Sequence, residues 1–366
     1  MFSHNGKISV RQVKILLILQ MFNTGILLLP RIAGKIAGRD GYVLPIIALL
    51  FGLAYVYTVL GLTTQFRGET FVEFAPKIVP KGVAYVLIVF FALKLLVGAG
   101  LELRMFGEMI SRVMLPKTPL PVILLTMLLT ISYLVKSGIE ATARMAEILI
   151  YFIFVPLAIV LIFIAAKADY KQLTPFFQAG PLQIGKGAFL ISLSFMPIEF
   201  MLMLTGLMER PEEGKRATLV AIVIVSGIEV VVTLLTFVGI GVVESQKQVW
   251  PVLTLMQSIQ FFGSFVENQE VLMMTCWVFS IFMYVSSGIY ILSLIGSRVF
   301  KFKRENIFVL PTLPIIYAIA MVPRNLTQVY TYYRNFQYYV GLWFLLPIPL
   351  ILLILIKVKK VGDRHE

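Results

Sequence analysis

Phe22-Asn23-Thr24-Gly25, followed closely by Pro30, interrupts an apolar run that begins near Ile15, and Phe195-Met196-Pro197-Ile198-Glu199 interrupts a second. Glycine loosens the backbone at the first stretch, while at the second proline removes a backbone donor and a carboxylate follows two residues on. Irregular backbone at bilayer depth persists only where it is buried in protein or lines a cavity, because unpaired amides are not left facing lipid. Both stretches are therefore candidate unwound points, although glycine and proline are also common in membrane helices for packing reasons alone.

Working outward, a span needs roughly 20 mainly apolar residues. Such runs lie at 10–37, 41–65, 82–112, 118–136, 140–166, 185–208, 216–243, 268–298, 305–323 and 333–357. The second break falls five spans after the first. That is the pattern of an all-α polytopic membrane protein with about ten transmembrane helices in a five-plus-five inverted repeat, helices one and six being broken. The chain reads as a single transmembrane permease-like domain over 1–366, with a first repeat of about 10–166 and a second of about 185–357. In such a bundle the half-helix ends converge near the midplane. Freed N–H groups suit a carboxylate there, and freed carbonyls suit a cation or an ammonium group. An amino acid presents both charges, so Asn23, Thr24, Gly25, Phe195, Pro197 and Glu199 are candidates for binding a small molecule.

Composition agrees with a lipid environment. The hydrophobic fraction of 59 % and the charged fraction of 14 % are far from the balance of a soluble domain. The net charge of +13 is carried by short Lys and Arg clusters between apolar runs, not by a basic stripe, so nucleic acid is not an expected partner. More than half of the 32 Lys and Arg residues fall on one side if the N-terminus is cytoplasmic, including Lys7, Arg11 and Lys14, then Arg298, Lys301, Lys303 and Arg304. This bias places both termini inside, with an even number of spans. One cysteine, Cys276, and two histidines at opposite ends, His4 and His365, leave no basis for a disulfide framework or a Cys/His metal centre. No cofactor is expected, and no nucleophile and base pairing suggests an enzyme. The first apolar run lacks a small-residue cleavage site and reads as a membrane helix, not a removable signal. Between Glu244 and Gln269, the apolar residues Val252, Leu255, Ile259, Phe262 and Val266 recur at spacings of three and four. They predict an amphipathic helix that caps one mouth of the bundle.

Span three carries Lys94, Glu102, Arg104, Glu108 and Arg112. At 100° per residue Lys94 and Arg112 superpose, Glu108 lies about 40° away, and Glu102 and Arg104 lie about 80° to either side. All five fit one face, with Gly98, Leu101 and Met105, so this stripe must turn into the bundle. The outer three are spaced for pairing along the helix and read as a structural ladder. Lys94 and Glu102 are better placed to face a ligand or ion. Glu140, Arg144 and Glu147 form a second ladder, while Glu199 and Glu229 have no local partner and are proton or cation candidates. Tyr284, Ser286, Ser287 and Tyr290 in span eight place hydroxyls where they can meet the broken first helix, with close helix packing as the alternative.

Leu103-Arg104-Met105-Phe106-Gly107-Glu108-Met109-Ile110 with Leu115-Pro116-Lys117-Thr118-Pro119 resembles the third-helix signature of the permease-like B subunits of bacterial spore germinant receptors. Gly138-Ile139-Glu140 with Arg144-Met145-Ala146-Glu147-Ile148 is similar to the fifth-helix motif, and Thr24-Gly25-Ile26-Leu27 and Glu270 to Trp277 also fit. The chain departs from the family at Glu267-Asn268-Gln269-Glu270, where members often carry an arginine. The resemblance implies the fold of the amino acid, polyamine and organocation transporter superfamily. It also implies a small-molecule germinant, a complex with A and C subunits, and a place in the bacterial spore inner membrane. Carried over by position, the implied pocket involves Gly25, Gly98, Leu101, the sixth-helix break and Ser287. An L-amino acid sensor is the expected function, with a proton- or sodium-coupled amino acid symporter as the alternative.

Overall fold

The computed structural model describes residues 6–168, 170–175, 178–258 and 269–359. Among the described residues no strand forms, and Ile8 and Met208 make one isolated bridge. The first span is split into α1 (Val10–Met21) and α2 (Thr24–Ala37), and a 3₁₀ turn leads into α3 (Leu44–Thr63), the second span. The connection after it holds a short helix, α4 (Phe71–Ile78). Spans three to five are α5 (Lys81–Val113), α6 (Leu120–Lys136) and α7 (Ile139–Lys167). The sixth consists of α8 (Pro181–Ile191), a 3₁₀ segment Ser192–Phe200 and α9 (Met201–Leu204), and the seventh is α10 (Gly214–Ile240). Next come α11 (Val242–Lys247) and α12 (Pro251–Ser258), then α13 (Gln269–Val299) and α14 (Val309–Met321) as spans eight and nine. The tenth is α15 (Leu326–Tyr339), a 3₁₀ turn Gly341–Phe344 and α16 (Pro347–Lys359).

Among the described residues seven helical stretches are long and apolar enough to cross a membrane, and Leu120–Lys136 and Val309–Met321 are shorter apolar helices. Side chains such as Leu50, Leu129, Phe152, Ile162 and Val358 are more than half exposed, as expected where lipid replaces water around an apolar surface.

Three local features differ from the expectation. The sixth span does not unwind at Pro197 but tightens into the nine-residue 3₁₀ segment Ser192–Phe200. Proline cannot donate to the carbonyl four residues back, and i→i+3 bonding absorbs the loss without exposing backbone. The tenth span begins well before residue 333 and carries a break of its own around Gly341. Pro347 and Pro349 lack the donors that Trp343 and Leu345 carbonyls would use in a regular helix. The Leu345 oxygen instead accepts a 2.7 Å hydrogen bond from the Thr58 hydroxyl of α3. Lastly, the amphipathic stretch is helical over Pro251–Ser258, with Val252 and Leu255 buried, while Ile259, Phe262 and Val266 lie outside the described residues.

Candidate functional site

Asn23 makes the first break. Its Oδ1 accepts the Gly25 N–H at 3.1 Å, capping α2, and its Nδ2 donates to Glu102 Oε1 of α5 at 3.1 Å. One amide thus begins the second half-helix and ties it to span three. Thr24 opens α2, its side chain lying outside the described set. Gly25 faces the sixth break: a Cβ there would lie 4.0 Å from Ser194 Cβ and 3.5 Å from Asn23 Oδ1.

The sixth break in turn meets the tenth. A Cβ on Gly341 would sit 2.5 Å from Met196 Cε, so a larger residue there would require the Met196 side chain to move. Lys94 of α5 closes the triangle, pairing with Glu199 of the 3₁₀ segment and donating to the Gly341 carbonyl at 2.7 Å. The side chains of this ion pair are only 2 % and 4 % exposed, so neither charge is shared with water. Phe344 packs tilted against Phe91 at 4.7 Å between centroids, and its ring centroid lies 5.8 Å from Lys94 Nζ. Phe71 of α4 packs edge-on to both rings, forming an aromatic layer beneath the ion pair on the side of the termini.

Two turns along α5, Glu102 Oε1 also accepts the Tyr333 hydroxyl of α15 at 2.5 Å. Gly98 lies between the two charges, its missing side chain leaving the Tyr284 hydroxyl and the Phe336 ring at 3.4 and 3.6 Å from a would-be Cβ. Leu101 is buried beside them in α5. In the sixth break Phe195 fills the notch left by Gly52 of α3, where a Cβ would be 2.9 Å from its ring. Pro197 is buried. Tyr55 donates to Ser192 Oγ at 2.9 Å, Ser192 itself donating to the Phe189 carbonyl, which fixes the start of the segment.

The sequence candidates separate accordingly. Asn23, Gly25, Lys94, Gly98, Glu102, Phe195, Pro197 and Glu199 gather where the breaks meet. Ser286 and Ser287 are buried in α13, and among the described residues their hydroxyls have no hydrogen-bond partner. Tyr290 does not turn toward the first helix: its hydroxyl donates to Glu305 at 2.8 Å, in a network with Arg298 and Glu73 at the far end of α13. Its place in span eight carried no information about that loop. Sequence reading missed Gly341 and Tyr333, while Tyr284, one of the span-eight hydroxyls it named, does lie beside Gly98. Pro347-Ile348-Pro349 was the available signal for the tenth break.

Both ends of the bundle are tied. Toward the termini, Ile8 N donates to Leu207 O, Gly6 N to Glu140, and Gln12 Nε2 to Glu147 at 3.3 Å, so the ladder of span five holds the start of α1. At the opposite end Asp40 accepts Gln178 and Ala179 N–H groups at 2.6 and 2.8 Å, and Gln246 donates to Gly34 O at 2.8 Å.

A helical bundle with broken first and sixth spans, tied at both ends around a buried polar centre, is a permease-type architecture. The chain belongs to the spore germination protein family, whose profile matches residues 7–329. It is 26 % identical to spore germination protein YndE of Bacillus subtilis (strain 168), over the whole of both chains. It is 24 % identical to spore germination protein KB of the same organism, over 97 % of this chain and 96 % of that one. Among solved structures it resembles MHP1, a nucleobase-cation-symport-1 family transporter in a closed conformation with bromovinylhydantoin bound. The TM-score is 0.68 at 12 % identity, covering 94 % of this chain and 77 % of that one.

Proposed function

We propose that this chain is the membrane nutrient-sensing subunit of a spore germinant receptor. It binds a small germinant, an L-amino acid in the leading reading, between broken helices one and six and spans three and eight. The observation that carries this is the buried Lys94–Glu199 pair with its Gly341 carbonyl, where the sixth and tenth breaks meet, while the first break is tied to the same α5 through Asn23 and Glu102. Such a centre holds charges of both signs whose partners lie on different elements, so a zwitterion competing for either charge changes how those elements pack. A sensor requires a ligand that binds one packing better than the other. The stretches 10–166 and 185–357 are then the units that shift, A and C subunits read the shift, and both termini face the spore core from the inner membrane.

The test is equilibrium binding to the purified chain with a panel of amino acids, sugars and nucleosides, alongside Gly25→Leu. An amino acid binds, and Gly25→Leu abolishes binding while membrane insertion persists, because Ser194 leaves room for little beyond a Cβ. Binding of no panel member, or an unchanged dose response in Gly25→Leu, removes the first break from the site.

A second reading, an ion-coupled amino acid symporter, is favoured by Glu229 of α10. It is 1 % exposed, with the Ser194 hydroxyl of the sixth break as the polar group beside its carboxylate. An intramembrane carboxyl of this kind is a proton or cation site by default. Concentrative uptake of labelled amino acid into liposomes, lost in Glu229→Gln, would establish the symporter; binding without uptake would exclude it.

A further inference from the structure

Glu102 is 1 % exposed, yet two elements from opposite ends of the chain reach the same one of its oxygens. Asn23 does so from the first break and Tyr333 from α15, the outer half of the tenth span. Around them stand Tyr284 and Phe336, brought close by the missing side chain of Gly98. Tyr284 packs in turn against Phe200 at the end of the sixth break, with ring centroids 5.5 Å apart. A carboxylate with aromatic side chains on it and one turn away suits an ammonium group: the anion supplies the charge, and an aromatic ring adds cation–π attraction where it can face the cation in a desolvated setting. Lys94 cannot share this task. It lies eight residues away, about 12 Å along the helix axis, too far for the adjacent charges of one α-amino acid to reach both residues.

We propose that Glu102, with Tyr284, Tyr333 and Phe336, is the ammonium subsite of the ligand pocket, occupied in the closed protein by the Tyr333 hydroxyl. The proposal rests on the reading that this pocket binds a small nutrient, and it narrows the nutrient to one bearing a primary amine. The amine takes the place of Tyr333 on Glu102. Because α15 ends at the Gly341 break, its displacement needs movement at that joint and not of α16. Asn23 connects the same carboxylate to the α2 N-terminus, so exchange of Tyr333 for the amine is felt at the first break as well.

The experiment compares butylammonium chloride with sodium butyrate and butyramide, at constant ionic strength, on the purified full chain by equilibrium binding. The ammonium binds in preference to both counterparts. Glu102→Gln weakens it about tenfold or more, the scale of one charge-assisted hydrogen bond. Tyr333→Phe tightens it several-fold, because it removes the internal competitor while keeping the ring. The opposite signs of the two variants separate the subsite from a loss of folding, which would weaken binding in both. Equal binding of the three probes, no binding of the ammonium, an unchanged affinity in Glu102→Gln, or failure of Tyr333→Phe to tighten overturns the proposal. If amino acids from the nutrient panel still bind in that case, the pocket stands and only its ammonium subsite is wrong.

Discussion

The two halves of α5 bury charge in different ways. At the outer end Arg104 Nη2 meets Glu108 Oε1 at 2.9 Å and Arg112 Nε meets Glu108 Oε2 at 3.3 Å, each one turn apart on the same helix. Arg104 uses a further donor on the Ala320 carbonyl at the end of α14, at 3.1 Å. In the middle of the helix, Lys94 and Glu102 are held by Glu199, Gly341, Asn23 and Tyr333, none of them on α5. A ladder within one helix stays satisfied when neighbouring helices move. Bonds between helices depend on the register of several elements at once, so they are where a change in packing and a change in charge become one event. This places conformational sensitivity at Lys94 and Glu102, and rigidity at Arg104 to Arg112.

Breaking the inter-helix pair gives the largest effect. Among the described residues, Glu199→Ala leaves the buried Lys94 with only the Gly341 carbonyl as a hydrogen-bond partner, and costs about 3–5 kcal/mol, read as a lower midpoint of thermal unfolding in detergent. Joint replacement, Lys94→Met with Glu199→Leu, removes both charges and restores most of the stability, since a buried ion pair exchanged for apolar side chains is often neutral. A double variant no more stable than the single one would mean that Glu199 acts through something other than Lys94.

The ladder is expected to fail more gently. Glu108→Gln keeps an acceptor near Arg104 and leaves the Ala320 bond intact, so about 1–3 kcal/mol is lost. Protein level falls while the ligand dose response stays the same. A shifted dose response at normal protein level would make the ladder part of the site and erase the contrast between the two halves. Smaller again is Thr58→Val, which withdraws the donor from the Leu345 carbonyl in the tenth break and costs about 1 kcal/mol. That cost appears as lower thermal stability. If the ligand response shifts too, the tenth break belongs to the moving part.

What the sequence made legible follows the same division. Arg104, Glu108 and Arg112 are four residues apart, so their pairing could be read from helical geometry without knowing any neighbour. Glu140 with Arg144 was legible for the same reason, and the structure adds that Glu147 reaches back to Arg11 and Gln12 of α1. The first break announced itself through Asn23 and Gly25, since polar and flexible residues stand out in an apolar run. The sixth was visible through Pro197, but its 3₁₀ form was not, because proline fixes which bond is lost and not how the backbone compensates. The partner of Lys94 lies 105 positions away. No periodicity carries that information. Tyr333 was hidden by a different cause: α15 is polar and aromatic, so the search for apolar runs began at residue 333 and overlooked its role as a cover for α5.

The smallest effect sharpens the comparison from the opposite side. Arg112 is half exposed, with 53 % of its side chain accessible, and its contact with Glu108 is the longer of the two. Exposed pairs one helical turn apart contribute about 0.3–0.5 kcal/mol, and Glu108 keeps Arg104 when Arg112 is gone. Arg112→Gln should therefore shift the unfolding midpoint barely, and the shift should shrink further at high salt, as screening requires. A loss comparable to that of Glu199→Ala would show that Arg112 is shielded from solvent in the assembled membrane protein. The outer end of α5 would then lie against a partner and not at a free surface.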